Sequence, residues 1–199
     1  MQINLPNILS LIRVPLLFVI ALLLYLPGQG AHWSAFLLFL LGAFTDWLDG
    51  FLARRYNTIS NFGKLIDPLT DKMLVIGLFI SLLAFGILPG WSVFAVLLIL
   101  VRELLITGLR VIAASRHMVL AAEKSGKRKT ITQLASLGIL LFAYALETGA
   151  TSTFILSTCN ILNYVGLGIF LLAAWFTVES GATYVKKYWD VFFSENYNE

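Results

Sequence analysis

Four of the five aspartates in this chain fall between residues 46 and 71, within an otherwise apolar sequence. Asp46 and Asp49 are three residues apart and Asp67 and Asp71 four apart, spacings that put each pair on one face of a helix. Carboxylates at membrane depth repel one another and cost about 3 kcal/mol each on insertion scales, which makes an intramembrane acid a functional candidate. Hard divalent cations remove that difficulty, because carboxylate oxygens suit Mg²⁺ or Mn²⁺. Four convergent carboxylates can hold two ions and leave positions for water and phosphate oxygens. The softer ligand sets are missing: one cysteine, Cys159, and two histidines, His32 and His117, make no thiolate or imidazole cluster. The competing reading pairs the aspartates with Arg54, Arg55, Lys64 and Lys72 as loop salt bridges. Loop bridges need neither facing pairs nor the small residues Gly50, Ala53 and Gly63, which let a ligand or a neighbouring helix come close. Asp67 followed by Pro68 also reads as the cap and first position of a helix, a role compatible with metal ligation.

The elements that must position these acids are helices in a bilayer. With 59% hydrophobic residues, 13% charged residues and a mean hydropathy of +0.85, the 199-residue chain is too apolar for an ordinary water-soluble domain. A span needs roughly 20 apolar residues. Apolar runs bounded by Pro, Gly and polar clusters predict six helices, near 5–26, 33–56, 68–86, 91–116, 130–147 and 154–185. The expectation is an all-α, six-helix transmembrane bundle forming one domain over 1–199, with its core at about 5–185.

The connections alternate in charge. "LPGQGAHW", "FGILPGW" and "ETGATSTFILST" carry no Lys or Arg, whereas Arg54, Arg55, Lys64, the stretch from Arg116 to Lys129, and Lys186 with Lys187 mark the other side. The positive-inside rule then puts both termini in the cytoplasm. Trp33, Trp91 and Trp189 stand where interfacial aromatics are expected. The start "MQINLPNILSLIRVP" lacks a basic lead and places Arg13 and Pro15 inside its apolar run, so it reads as mature structure rather than a secretory signal. The net charge of +3 in this composition favours anionic headgroups and phosphorylated substrates over nucleic acid.

The pattern Asp46-x2-Asp49-Gly50-x2-Ala53-Arg54-x8-Gly63-x3-Asp67-x3-Asp71 fixes eight positions. It resembles the signature of the CDP-alcohol phosphotransferases at every one of them. The resemblance implies a six-helix membrane enzyme, usually a homodimer, in which a CDP-linked donor and an alcohol meet at a two-metal site facing the cytoplasm. By the same resemblance Asp46, Asp49, Asp67 and Asp71 are the metal ligands, with Asp71 the candidate base. Gly50, Ala53, Arg54 and Gly63 line the CDP site. The residue chemistry agrees, since metal ions and an arginine neutralise a diphosphate without covalent participation by the protein.

Basic residues bear on the acceptor. "VRELLITGLRVIAASRH" puts Arg102 beside Glu103 within a span, with Arg110 eight residues on near the same face. "SGKRKT" adds Lys127, Arg128 and Lys129 in a loop with a glycine that lets backbone approach an anion. An acceptor bearing its own phosphate would account for Arg102, Arg110, Lys127 and Lys129. The alternatives are a headgroup-contacting loop and an Arg102–Glu103 pair. Arg13 either snorkels to the interface or reaches a substrate, the acceptor's phosphate or the nucleotide, and Asn7 either caps a helix or reaches the nucleotide. Neither histidine has a motif context. Within the family, "PNILSLIRVP", "VRELLITGLR" and "GKRKTITQ" resemble the branch that joins CDP-diacylglycerol to sn-glycerol 3-phosphate, giving phosphatidylglycerol phosphate. Another acceptor, such as inositol phosphate or phosphatidylglycerol, is the alternative within the class. A divalent-cation transporter is the alternative outside it and requires acids continuing across the bilayer, where the outer halves of the spans have almost none. A membrane scaffold would be indifferent to loss of these acids.

Overall fold

The structure is a computed structural model. It describes the backbone of residues 5–56, 61–115 and 124–193, and the side chains of residues 11–45, 69–111, 113 and 126–188. Among the described residues there are six α-helices: α1 Leu5–Tyr25, α2 Gln29–Tyr56, α3 Asn61–Ala84, α4 Val93–Ser115, α5 Lys124–Glu147 and α6 Thr153–Phe193. A single 3₁₀ turn, Gly90–Ser92, leads into α4. The all-α expectation therefore holds. Three stretches among the described residues are long and apolar enough to cross a bilayer, Gly90–Val111, Gly126–Glu147 and Thr153–Tyr188. Many large apolar side chains face outward, among them Phe18, Phe94, Phe154 and Trp175. In water such a surface would drive aggregation, and in lipid it is the expected exterior.

The second, third and fifth helices begin earlier than the apolar runs, whereas α1 begins at Leu5 as expected and α4, expected from 91, begins at Val93 after the 3₁₀ turn. The third was expected from 68 and begins at Asn61, so Asp67 and Pro68 lie inside α3 and the capping role is excluded. Phe62, Leu65, Ile66 and Leu69 recur at helical spacing, and proline inside a membrane helix is tolerated where neighbouring groups take up the freed carbonyl. Pro15 sits inside α1 as well. The fifth helix was expected from 130 and begins at Lys124, so Lys127, Arg128 and Lys129 belong to its first turns rather than to a loop. At 41 residues, α6 is about 62 Å long, twice the hydrocarbon thickness. Lys186, Lys187 and Trp189 thus continue that helix instead of following it. Asn7 falls within α1, behind helical Leu5 and Pro6, which removes the capping alternative for it.

Packing is organised around α1 and α5. The first helix packs against both α2 and α3, the fifth against α6 and α2, and α4 against α6 and α3. The shared core joins Ile20 and Leu24 of α1, Phe39 of α2, Leu78, Phe79 and Leu82 of α3, Leu140 of α5 and Phe170 of α6. The rings of Phe79 and Phe170 lie 5.0 Å apart by centroid, tilted against each other, a favourable aromatic contact. Small residues set the close approaches. A Cβ at Gly166 would meet Leu140 Cγ and Cδ2 at 2.8 Å. In the same place the Ser136 hydroxyl donates to the Gly166 carbonyl at 2.9 Å.

Gly166→Ala is therefore expected to destabilise the protein by about 1–3 kcal/mol through overpacking. Gly168→Ala, where a Cβ meets nothing within 4 Å, should be neutral or stabilising by up to about 1 kcal/mol from helix propensity. Thermal unfolding of the detergent-solubilised protein checks the contrast, and equal shifts would contradict this packing.

Candidate active site

The backbone puts all four signature aspartates on helix, Asp46 and Asp49 in the last turns of α2 and Asp67 and Asp71 in α3. Both spacings are thus helical, and each pair shares a helix face. The side chains of Asp46, Asp49, Gly50, Ala53, Arg54, Gly63 and Asp67, like that of Asn7, lie outside the described residues. His117 lies outside them altogether.

Asp71 is described, and its partner is Arg13. The guanidinium Nη1 of this buried α1 residue donates to Asp71 Oδ1. The Asp71 side chain remains 41% exposed, in contrast to the buried Arg13. The lysine beside it turns elsewhere. Lys72, one of the cations offered above as a loop partner for the aspartates, donates to Thr107 Oγ1 and lies 3.6 Å from Glu103 Oε2.

Glu103 is the hub of a second cluster. It is the one buried acid among the described residues, 3% exposed, and belongs to α4. Lys129 of α5, also buried, donates to its Oε1, and Arg102 Nη1 lies 3.2 Å from the same oxygen. Arg102 Nη2 donates to Ser180 Oγ of α6 at 2.9 Å. Gly181 makes room for the Arg102 stem, because a Cβ there would stand 2.9 Å from Arg102 Cγ. Next to the cluster, Gln133 donates to Thr177 at 3.3 Å, and Thr177 donates back to the Ala173 carbonyl at 2.6 Å. Helices α3, α4 and α5 thus meet at one carboxylate, and α6 joins them through the Arg102–Ser180 hydrogen bond.

The other basic candidates are arranged around it. Arg110 is exposed and lies over the Tyr184 ring, 5.6 Å from its centroid, at cation–π distance. Arg102 and Arg110 therefore both face α6, at positions four residues apart. Lys127 and Arg128 are exposed. His32 is buried at another place, with Nδ1 2.7 Å from Thr148 Oγ1 and its ring 4.4 Å from that of Tyr144, a packing role in keeping with the absence of a motif.

Sequence reasoning singles out Arg102 and Lys129, offers Glu103 as the alternative partner of Arg102, which the structure bears out, and offers Lys72 only as a partner for the aspartates. Thr107 and Ser180 were missed. A signal existed in the adjacent Arg102 and Glu103, since an acid inside an apolar span must find counter-ions. Which cations would reach it depended on helix neighbours that one sequence does not reveal.

A family model described as CDP-alcohol phosphatidyltransferase matches residues 3–178. The chain belongs to the CDP-alcohol phosphatidyltransferase family, a family of membrane enzymes that transfer phosphatidyl groups. Among its relatives, a CDP-diacylglycerol–glycerol-3-phosphate 3-phosphatidyltransferase of Bacillus subtilis is 33% identical over 205 residues, covering 97% of this chain and 99% of the relative. Proteins of the same name from Rickettsia typhi and Shigella flexneri are 36% and 33% identical, covering 92% and 94% of this chain and 96% and 95% of the relatives. The family and the apolar helices together make this an integral membrane protein.

The Arg13–Asp71 pair makes a prediction of its own. Asp71→Asn and Arg13→Met are expected to be non-additive in a double-mutant cycle, with a coupling of about 1 kcal/mol because Asp71 is partly solvated. Unfolding of the three variants in detergent measures it, and additive losses would show that the pair contributes nothing.

Proposed function

We propose that the chain transfers the phosphatidyl group of CDP-diacylglycerol to sn-glycerol 3-phosphate, giving phosphatidylglycerol phosphate and CMP. The observation that carries this reading is the adjacency of Asp71 and Lys72 in α3. One belongs to the four-carboxylate pattern, and the other to the buried cationic cluster on Glu103. A donor diphosphate and a second phosphate thus have complementary sites next to each other, and the names of the relatives fit that pair of substrates.

Asp46, Asp49, Asp67 and Asp71 would hold two divalent ions, Mg²⁺ or Mn²⁺. Their fit rests on four hard oxygen donors at helical spacing on two consecutive helices. Bound there, the ions would supply positive charge to the diphosphate oxygens. The protein's own groups do the rest. Arg54, with Gly50, Ala53, Gly63 and Asn7, receives the CDP moiety. Arg13 fixes the orientation of the Asp71 carboxylate. The acceptor hydroxyl attacks the phosphorus that bears the diacylglycerol, a new P–O bond forms, and the bond from that phosphorus to the bridging oxygen of CMP breaks. CMP leaves with the electron pair, and Asp71 takes the hydroxyl proton. Arg102 and Lys129, with Arg110 and Lys127 at the cytoplasmic approach, receive the acceptor's phosphate. The alternation of basic and uncharged connections supports a six-span chain with both termini and the site on the cytoplasmic side of a bacterial membrane. A homodimer is the assembly the family resemblance implies. The transporter reading is less well supported, because Glu103 is matched to cations instead of continuing a carboxylate path.

Purified protein given CDP-diacylglycerol is expected to release CMP with sn-glycerol 3-phosphate, and poorly with inositol phosphate or phosphatidylglycerol. Turnover with another acceptor alone would overturn the assignment. EDTA should abolish CMP release and added Mg²⁺ or Mn²⁺ restore it. Asp49→Asn is expected to lower kcat by about 10³-fold or more, the scale of a lost electrostatic contribution to the transition state. A variant within twofold of the wild type in the same assay would remove the carboxylates from the chemistry.

A further inference from the structure

At the end of the bundle away from Asp71 lies a cavity of about 270 Å³, outside the chemistry proposed above. Its walls are Phe85, Gly86 and Ile87 from the turn that follows α3, Tyr144 and Glu147 from the last turn of α5, and Asn163 of α6. The polar features there share one electrical sense. Asn163 Oδ1 is a buried acceptor with no hydrogen-bond partner among the described residues, and such an atom in a membrane protein is costly until a donor reaches it. Glu147 forms no ion pair among the described residues. The connections α1–α2, α3–α4 and α5–α6, which close this end, carry no Lys or Arg. Both α3 and α5 finish at the cavity, so the negative ends of two helix dipoles lie beside it. The buried imidazole close by is engaged elsewhere, since His32 lies against the Tyr144 ring and meets Thr148 Oγ1 through Nδ1. What this cavity lacks is a cation.

We infer that this cavity is a binding site for an alkylammonium group, as carried by a free amine or by the ethanolamine headgroup of a phospholipid. The walls decide between an organic cation and a metal ion. A hard divalent ion asks for about six oxygens, and the side chains of Glu147, Asn163 and Tyr144 bring too few. Phe85, Ile87 and Tyr144 instead supply the apolar surface that suits an ammonium attached to carbon, and an aromatic face attracts its charge. The volume admits such a group, since a water molecule takes only about 30 Å³. Bound there, the ammonium donates to Asn163 Oδ1 and to the Glu147 carboxylate, which satisfies the buried acceptor and the unpaired acid together. The inference is independent of the acceptor assignment, because it concerns other residues at the opposite end of the helices.

The full-length protein in an uncharged detergent is titrated calorimetrically, at constant ionic strength, with ethanolamine hydrochloride, with dihexanoyl phosphatidylethanolamine and with the N-acetyl derivative of each. An amine is expected to bind and its acetylated form, which has lost the charge, is not. Binding of both amines shows that the ammonium suffices, binding of the lipid alone assigns the site to a headgroup, and binding of ethanolamine alone assigns it to a free amine; each outcome supports the inference. Glu147→Gln should weaken binding about fivefold, the scale of an exposed ion pair. Asn163→Leu should weaken it about tenfold, the scale of a hydrogen bond to a charged group. CMP release should stay within about twofold in both variants, because the aspartates are remote from the change, and it reports that the variants are folded. If Asn163→Leu does not fold, the exposed and isosteric Glu147→Gln decides. No binding of either amine to the wild type, equal binding of the acetylated forms, or binding that Glu147→Gln leaves unchanged would overturn the inference. Displacement of the amine by an equal concentration of Ca²⁺ would assign the cavity to a metal ion and overturn it as well.

Discussion

A charge inside a bilayer must be met by another charge, and this constraint decides where the helices of the protein can go. Glu103 meets it by drawing Lys72, Arg102 and Lys129 around one carboxylate, so α3, α4 and α5 converge on a single point with α6 anchored through Ser180. Apolar packing alone would not fix that convergence, since lipid tails solvate leucine as well as a neighbouring helix does. Polar contacts and close steric fits carry the specificity instead, as Ser136 against the Gly166 backbone illustrates.

The same constraint links architecture to chemistry. Arg13 reaches Asp71 from α1, the helix that packs against both α2 and α3, which carry the two aspartate pairs. Asp71 and Lys72 are consecutive, and their side chains turn to different neighbours, Arg13 on one side and Glu103 with Thr107 on the other. One helix thereby serves both the site proposed for the donor and the site proposed for the acceptor. A direct displacement needs that arrangement, because the rate gain comes from holding two reactants in line.

Much of this was legible in the sequence. Apolar runs gave six helices, and the Asp46 to Asp71 pattern gave the family, because long spans and spaced acids are strong local signals. Helix ends were less legible. At Asn61 and Lys124 the helix runs several residues into polar sequence, since Lys and Arg are good helix formers and Lys129 is held by Glu103. From the sequence Arg102 reads as a phosphate ligand or as a partner of Glu103, and it is found on Glu103 and Ser180. Lys72 reads only as a loop partner of the aspartates, and its engagement with α4 depends on tertiary neighbours that periodicity does not encode. The exposed Lys127 and Arg110 stay compatible with the role proposed for them.

The central claim is that Asp46, Asp49, Asp67 and Asp71 form one cation site rather than four separate acids. Electron paramagnetic resonance of the purified protein titrated with Mn²⁺ tests it without reference to turnover. Two ions per chain with mutual magnetic coupling are expected, and loss of that coupling in Asp49→Asn. A single isolated Mn²⁺ signal, or none that the substitution alters, would contradict it.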